Sequence, residues 1–375
     1  MLKGFLKNTV ALALVVASTL SMFGCKKAKY EPVKSTDEEN TVVCTLKINN
    51  QTYEVKYELY RAFFLNYKSK VDGGNSEVWT GEDSQKYIDE INELIIEKIS
   101  YVYSALELAR QCDINMYSQE VEEQIEEYIR ISVEGDLSMG VAGYGTYDEY
   151  LEALKRDNLN YQAQVLLYRY SIAVDKLQSY FIGNLTEEGK DPDTTSGKLS
   201  YTIDDVRNFY YGEDCLRIMR AYINTDYFTE EEAIEKAERL RSKIISAVGE
   251  GDTAVALAIV QSSTSAMSDV EKGVIGKHNL NEMYYADLTK AAFGLEAQGV
   301  SEIIPISDNL GGGLYILYRA DKSDEHFEKY YNYIVYTYLT ELVGVKHSEC
   351  AEKLKENVSF TAEYANIVHA NISMD

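Results

Sequence analysis

The hydrophobic pattern of the first half of the chain predicts two short strands followed by long helices. Apolar and β-branched residues over 42–48 and 52–55, separated by Asn49 and Asn50, predict a β-hairpin. Apolar residues at three- and four-residue spacing then predict helices over 57–71, 83–112, 118–133, 147–156 and 159–183. Residues 184–200 are rich in Gly, Thr and Asp, a composition that is typical of a linker.

A different pattern follows this linker. It predicts a short helix over 203–211, a strand over 217–224, helices over 229–247, 253–261 and 286–293, and strands over 299–304 and 314–319. One long helix is predicted over 326–357, with a short apolar tail after it. Since the whole chain has only three prolines, long helices are favoured. The sequence therefore predicts an α+β fold.

The N-terminus predicts an export signal. Lys3 and Lys7 precede an apolar stretch from Val10 to Leu20, which is shorter than the roughly 20 residues of a membrane span. The residues before Cys25 resemble a bacterial lipobox, although Phe23 stands where a small residue is usual. This resemblance implies cleavage before Cys25 and a diacylglycerol on its sulfur, which would anchor the chain to a membrane. An uncleaved signal anchor is the alternative.

Charge and motif content exclude several classes of function. The chain has 37 Lys and Arg against 61 Asp and Glu, a net charge of −24, which argues against nucleic-acid binding. It has no Gly-rich phosphate loop, no paired-His motif and no CxxC, so we predict no nucleotide, metal or other cofactor. Beyond Cys25, the cysteines are widely spaced, which favours isolated thiols and leaves a disulfide open: Cys44, Cys112, Cys215 and Cys350.

An ordered set of sequence blocks in the second half resembles the parvulin family. The clearest block is KAAFGLEAQGVSEIIPI at 290–306, followed by GGGLYILYRAD at 311–321. Weaker blocks precede it in the family's order, at 217–224, 230–244, 251–263 and 273–276. The resemblance covers about 110 residues and implies an antiparallel sheet domain.

The flanking segments are similar in organisation to secreted foldases of the PrsA and SurA kind. This implies a mainly helical chaperone lobe, like the SurA N-terminal domain, with a parvulin-like antiparallel sheet domain inserted in it. The implied organisation is a signal peptide over 1–24, a lipid-anchored flexible tether over 25–40, the helical lobe over 41–184, a linker and short helix over 185–212, the parvulin-like domain over 213–322, and a C-terminal helix and tail over 323–375 that return to the lobe.

The parvulin-like site departs from its family. Parvulins hold two histidines on facing central strands, and these positions fall on Tyr222 and Tyr315. Asp269 stands near the family's acidic position. The prolyl pocket corresponds to Tyr284, Leu288 and Phe293, of which only Phe293 matches in kind. The two tyrosines are either partial substitutes for the histidines or cross-strand packing in a domain that has lost catalysis.

The resemblance implies a membrane-anchored folding factor on the extracytoplasmic face of a bacterial membrane. It would bind unfolded, newly exported polypeptides, with peptidyl-prolyl isomerase activity weak or lost. Two alternatives stay open: an active isomerase with a rearranged site, and a non-enzymatic lipoprotein that binds one envelope partner. The aromatic residues of the helical lobe are either its core or an exposed cradle for client chains: Tyr57, Tyr60, Phe63, Phe64, Tyr67, Tyr101 and Tyr103.

Overall fold

The protein consists of two compact units, seen in a computed structural model. The structure describes residues 30–136, 141–183, 197–225, 228–262, 267–278, 282–306 and 313–373. The helical unit comprises the described residues of Ala11–Asp175 and Lys346–Asp375, and the sheet unit comprises those of Lys176–Val345. Helices and antiparallel sheets occur together, which confirms the α+β class.

The elements follow one another along the chain as two successive series. The first is β1 (Val42–Ile48), β2 (Gln51–Lys56), α1 (Tyr57–Asp72), α2 (Ser84–Gln111), α3 (Gln119–Glu134), α4 (Tyr147–Arg156) and α5 (Tyr161–Ile182). The second is α6 (Ile203–Tyr211), β3 (Cys215–Asn224), α7 (Glu230–Ala247), α8 (Asp252–Val260), α9 (Met267–Glu271), β4 (Val274–Gly276), α10 (Glu282–Phe293), β5 (Ile304–Ile306), β6 (Gly313–Ala320), α11 (Asp324–Lys329), α12 (Tyr331–Glu356) and β7 (Val358–Phe360).

Local sequence signals explain where several helices of the helical unit begin and end. Helix α1 ends at Gly73, whose φ of 59° lies in the left-handed region that glycine adopts without steric cost. Helix α3 begins after Ser118, whose side chain accepts a hydrogen bond from the Val121 N–H. Helix α4 begins with a reciprocal capping box between Thr146 and Glu149. The strands β1, β2 and β7 form a three-stranded antiparallel sheet in the order β2-β1-β7.

Aromatic side chains form much of the core of the helical unit. Tyr60 and Phe64 are fully buried, and Phe64 packs against Trp79 with ring centroids 5.1 Å apart. Phe63 and Tyr103 are also buried, and the three remaining aromatics that the sequence singled out are half-buried: Tyr57, Tyr67 and Tyr101. The core interpretation is therefore confirmed for the four buried residues, and none of the seven is exposed. These residues do not form an exposed cradle.

The segment before β1 lies along the helical unit from Tyr30 onward. The Tyr30 ring stacks on Tyr147 at a centroid distance of 4.9 Å, and its hydroxyl donates to the Glu134 carboxylate at 3.0 Å. The Val33 carbonyl accepts a hydrogen bond from the Gln162 side chain at 2.8 Å. The later part of the segment that the sequence predicts to be a flexible tether therefore makes specific contacts.

The sheet unit contains a four-stranded antiparallel sheet in the order β4-β3-β6-β5. Its two central strands, β3 and β6, pair over their whole overlap, from Arg217 opposite Ala320 to Asn224 opposite Gly313. The edge strands β4 and β5 have three residues each. Short edge strands limit the open hydrogen-bonding edge of a sheet.

Three details of the sheet unit differ from the sequence predictions. Residues 274–276, for which no strand was predicted, form the edge strand β4, and the strand predicted over 299–304 is β5 at Ile304–Ile306. The helix predicted over 326–357 is two helices with a break at Tyr330, whose hydroxyl donates to Glu271 of α9 at 2.7 Å. Each difference depends on a tertiary partner that local periodicity does not report.

All four described cysteines are free thiols.

Burial shifts the pKa of one histidine of the helical unit. His347 of α12 is fully buried in the helical unit. Its Nε2 lies 2.9 Å from the carbonyl oxygen of Tyr101, and because a carbonyl only accepts, Nε2 carries the proton. Burial lowers the pKa of His347 to about 4.

We expect His347 to make the protein less stable as the pH falls. The unfolded chain takes up this proton near pH 6.5, whereas the folded chain takes it up only near pH 4, so stability is lost between these values. The free energy of unfolding is obtained from calorimetric melting curves at pH 7, 6, 5 and 4. As the pH falls, it should decrease more steeply for the wild type than for His347→Gln, by up to about 1.4 kcal/mol per pH unit. Burial raises the pKa of Asp175 to about 7, which opposes this trend equally in both proteins. Identical slopes for the two proteins would contradict the assignment.

Candidate functional site

The four-stranded sheet separates two apolar layers. Side chains alternate along a strand, so successive residues of β3 face opposite layers. Met219, Ala221 and Ile223 pack with α7 and α8 on the first face. Leu216 and Ile218 pack on the second face, in a cluster that also contains residues of α10, β5 and β6. By this alternation, Arg220 and Tyr222 lie on the second face.

Tyr222 and Tyr315 are direct partners across the two central strands. Their ring centroids are 4.8 Å apart and their planes are inclined by 38°. Both side chains are half-buried. The structure therefore brings together the two positions where the resemblance implies histidines, on facing central strands, as the sequence comparison requires.

Gly313 fixes the position of the Tyr222 ring. A Cβ atom added at Gly313 would lie 2.1 Å from Cε2 of Tyr222, so the ring lies directly over the glycine backbone. Aromatic side chains that cover a cross-strand glycine restore contacts that the glycine itself cannot make. The φ of Gly313 does not lie in the left-handed region, so backbone conformation does not require glycine here. Glycine is needed because a Cβ would collide with the Tyr222 ring.

Leu288 and Phe293 reach the same apolar cluster from α10. Leu288 belongs to its buried core, and Phe293 and Tyr315 are partly buried residues packed against that core. The backbone of Tyr284 lies in α10, but its side chain is outside the described part of the chain. We call the surface formed by the half-buried Tyr222, Tyr315 and Phe293, next to the buried Leu288, the tyrosine face.

Asp269 is not brought to the tyrosine face. It lies on α9, where its carboxylate is 2.7 Å from the Lys272 ammonium and its side chain is 59% exposed. The adjacent Val270 packs in the core of the first face. The acidic position implied by the resemblance is therefore separated from the tyrosine pair by the sheet. Cys25, the predicted lipidation site, lies outside the described residues.

The sequence prediction missed one charged residue beside the tyrosine pair. Arg220 is exposed, and its Cζ lies 6.0 Å from the centroid of the Tyr315 ring. The signal was present in the predicted strand over 217–224, because Arg220 stands two residues before Tyr222 and must share its face.

A polar cavity of about 220 Å³ lies in the sheet unit, lined by residues of β3, α8, α9 and α11. Its His326 donates from Nε2 to the Glu271 carbonyl at 3.0 Å and accepts at Nδ1 from the Tyr210 hydroxyl at 3.0 Å. Burial, with the Arg217 charge nearby, lowers the pKa of His326 to about 4. Both ring nitrogens are used in holding α11, so this histidine is structural.

His278, which follows the edge strand β4, contacts Glu341 of α12. The His278 backbone N–H donates to Oε2 of Glu341 at 2.8 Å, and its Nδ1 lies 2.6 Å from Oε1. Gly276 is needed beside this carboxylate, because a Cβ there would lie 2.3 Å from Oε2. Burial raises the pKa of Glu341, and the hydrogen bonds from His278 oppose that rise.

The described part of the chain was considered for two further features, a metal centre and a membrane span, and has neither. No three His, Cys, Asp or Glu side chains in that part of the chain are close enough to hold a metal ion. None of its helices combines the length and the apolar character that a bilayer span requires.

Comparison with known proteins gives only remote structural likenesses. No family model matches the sequence. No curated protein matches it either. Among solved structures, foldase protein PrsA from Streptococcus pneumoniae strain Canada MDR_19A is similar at 16% identity and a TM-score of 0.28, over 75% of this chain and 89% of that one. Foldase protein PrsA from Lactococcus lactis is similar at 13% identity and a TM-score of 0.25, over 89% and 99%.

We predict that Gly313→Ala displaces Tyr222 and destabilises the sheet unit. The added methyl group would overlap the ring, and overpacking of this kind costs about 1–3 kcal/mol. The loss should appear as a lower melting temperature and as a changed near-ultraviolet circular dichroism spectrum. Gly249→Ala is the matched control, because a Cβ there meets no atom within 4 Å. Equal melting temperatures for the two variants would show that the ring does not depend on this glycine.

Proposed function

We propose that the protein is a membrane-anchored extracytoplasmic folding factor that binds unfolded exported polypeptides at the tyrosine face. The cross-strand pairing of Tyr222 with Tyr315 carries this proposal. These two residues stand on the central strands at the positions where parvulins hold their histidines, beside an apolar cluster that includes Phe293. The sequence blocks that resemble parvulins and the arrangement of the sheet thus support the same surface.

The chemistry of this surface suits binding better than rapid isomerisation. Rotation about a prolyl bond faces a barrier of about 18–20 kcal/mol that arises from amide resonance. A catalyst must stabilise the twisted amide more than either planar form. The partly buried Phe293 supplies an apolar contact for a prolyl or aromatic side chain, with Leu288 in the buried cluster behind it, and such a contact acts on planar and twisted forms alike. We therefore propose that isomerase activity is weak or lost.

The helical unit contributes less exposed aromatic surface than its tyrosine content suggests, because its core uses many of these rings. Its most exposed large hydrophobic residues among those described are scattered: Val33, Tyr117, Phe360 and Val368. Isolated apolar residues are normal on a protein surface and do not mark a binding site. We place client contact at the tyrosine face because Tyr222 and Tyr315 stand at the positions that correspond to the parvulin histidines, and not because its side chains are more exposed.

The test of this function uses the full-length protein held in lipid nanodiscs. A model substrate whose refolding is limited by prolyl isomerisation shows a slow phase of about 10–100 s at 25 °C. We expect the slow phase to keep its rate while aggregation of the substrate falls in proportion to the added protein. Phe293→Ala should weaken this protection, whereas Leu257→Ala, which truncates an exposed residue of α8, should not.

The other outcomes of this experiment identify the alternatives. A slow phase that accelerates with added protein, and loses the acceleration in Phe293→Ala, would make the protein an active isomerase with a rearranged site. No effect on either the slow phase or aggregation would refute the folding-factor proposal. It would leave a lipoprotein that binds one dedicated partner.

Membrane attachment is tested separately by Cys25→Ser. If the Cys25 sulfur carries the lipid, the substitution removes the acyl anchor, and the protein should move from the membrane fraction to the soluble fraction. Cys112→Ser is the matched control, since it replaces a half-buried thiol outside the signal region. Retention of Cys25→Ser in the membrane fraction would favour an uncleaved signal anchor.

A further inference from the structure

The tyrosine face carries an arginine in an unusual electrostatic setting. Arg220 lies between Ile218 and Tyr222 on the same face of β3, and its side chain is exposed. Its guanidinium carbon is 6.0 Å from the centroid of the Tyr315 ring. The charge is thus held at the edge of the tyrosine pair.

Arg220 has no carboxylate partner among the residues that the structure describes. The other arginines of the central strands and of α7 are engaged: Arg217 pairs with Asp252, Arg239 with Glu235, Arg241 with Glu302, and Arg319 donates to the Leu295 carbonyl. Helix α10, which covers the second face, has two charged side chains of opposite sign in its described part, Asp287 and Lys290. Among the described residues, the Arg220 guanidinium therefore contacts the Tyr315 ring and forms no ion pair.

This charge contrasts with the protein as a whole. A net charge of −24 attracts basic segments and repels acidic ones at long range. That field is screened over about 10 Å at 0.1 M ionic strength. A guanidinium beside a bound chain acts within this distance, and its planar donors match the geometry of a carboxylate.

We propose that Arg220 gives the tyrosine face a preference for polypeptide segments with an acidic side chain next to the residue that contacts the tyrosine pair. The inference rests on the proposed function, since it requires that unfolded chains bind this face. A carboxylate at that place in the client meets the unpaired guanidinium, whereas a lysine or arginine meets a like charge. Arg220 would then determine which exposed segments are retained.

The experiment measures the affinity of three labelled peptides for the full-length protein in phosphatidylcholine nanodiscs, by fluorescence anisotropy. The peptides are unstructured, share one central proline, and differ only in having Glu, Ala or Lys before it. Empty nanodiscs give the background. The quantity compared is the ratio of the dissociation constants of the Lys and Glu peptides. Using a ratio removes any change that affects all peptides equally.

Arg220→Gln should lower this ratio by about three- to fivefold at low ionic strength, as expected for one exposed ion pair. Binding of the Ala peptide should change less than twofold. Arg239→Gln is the matched control, because it removes the same charge from a side chain of α7 that is 61% exposed, and α7 packs on the opposite face of the sheet. Arg220→Lys should keep most of the preference, since it retains the charge.

Three results would overturn the proposal. A ratio that falls equally in Arg220→Gln and Arg239→Gln would assign the preference to the field of the whole protein. A ratio unchanged in Arg220→Gln, with the Ala peptide still bound and still weakened by Phe293→Ala, would remove the role of Arg220 and leave the proposed function intact. Failure of the wild type to bind any of the three peptides would refute client binding at this face, and the role of Arg220 with it.

Discussion

The pairing of β3 with β6 determines what the sheet unit can do. Because side chains alternate along each strand, this single register sends Tyr222 and Tyr315 to one face and the contacts of α7 and α8 to the other. A slip of one residue would exchange the two sets. The Tyr222 ring lies close to Gly313 at the end of this pairing, where a residue with a Cβ would collide with the ring. The chemistry of the tyrosine face is therefore a consequence of strand alignment.

Much of the fold follows from long periodic segments. Helix α1 was predicted over 57–71 and spans Tyr57–Asp72, and α3 was predicted over 118–133 and spans Gln119–Glu134. In each, an apolar stripe repeats over several turns and a capping residue marks a boundary, so local sequence and tertiary packing agree. The central strands β3 and β6 were predicted from their strand-like runs of apolar residues. The sequence could also place Tyr222 and Tyr315 together, because ordered blocks related them to facing strands.

Other features depend on partners distant in sequence. Strand β4 has three residues and exists through its pairing with β3, so no periodic pattern marks it. The break before α12 occurs at Tyr330, whose hydroxyl donates to Glu271, 59 residues away in sequence. Asp269 was assigned from a loop whose path the sequence does not specify, and α9 carries it away from the tyrosine pair. The division between the two units falls inside the continuous helices α5 and α12, where hydrophobic periodicity does not change.

The contacts of Tyr30 would limit the reach of the proposed lipid anchor at Cys25. With Cys25 acylated as proposed, only the four residues 26–29 would separate it from the stacked Tyr30 ring, and the five residue steps give a reach of at most about 17 Å. That length is comparable to the radius of a small domain, so the helical unit would remain beside the headgroups and could not sweep a large volume. Polypeptides would meet this protein within the first few nanometres outside the membrane. Such an attachment would select clients by where they emerge as well as by their chemistry.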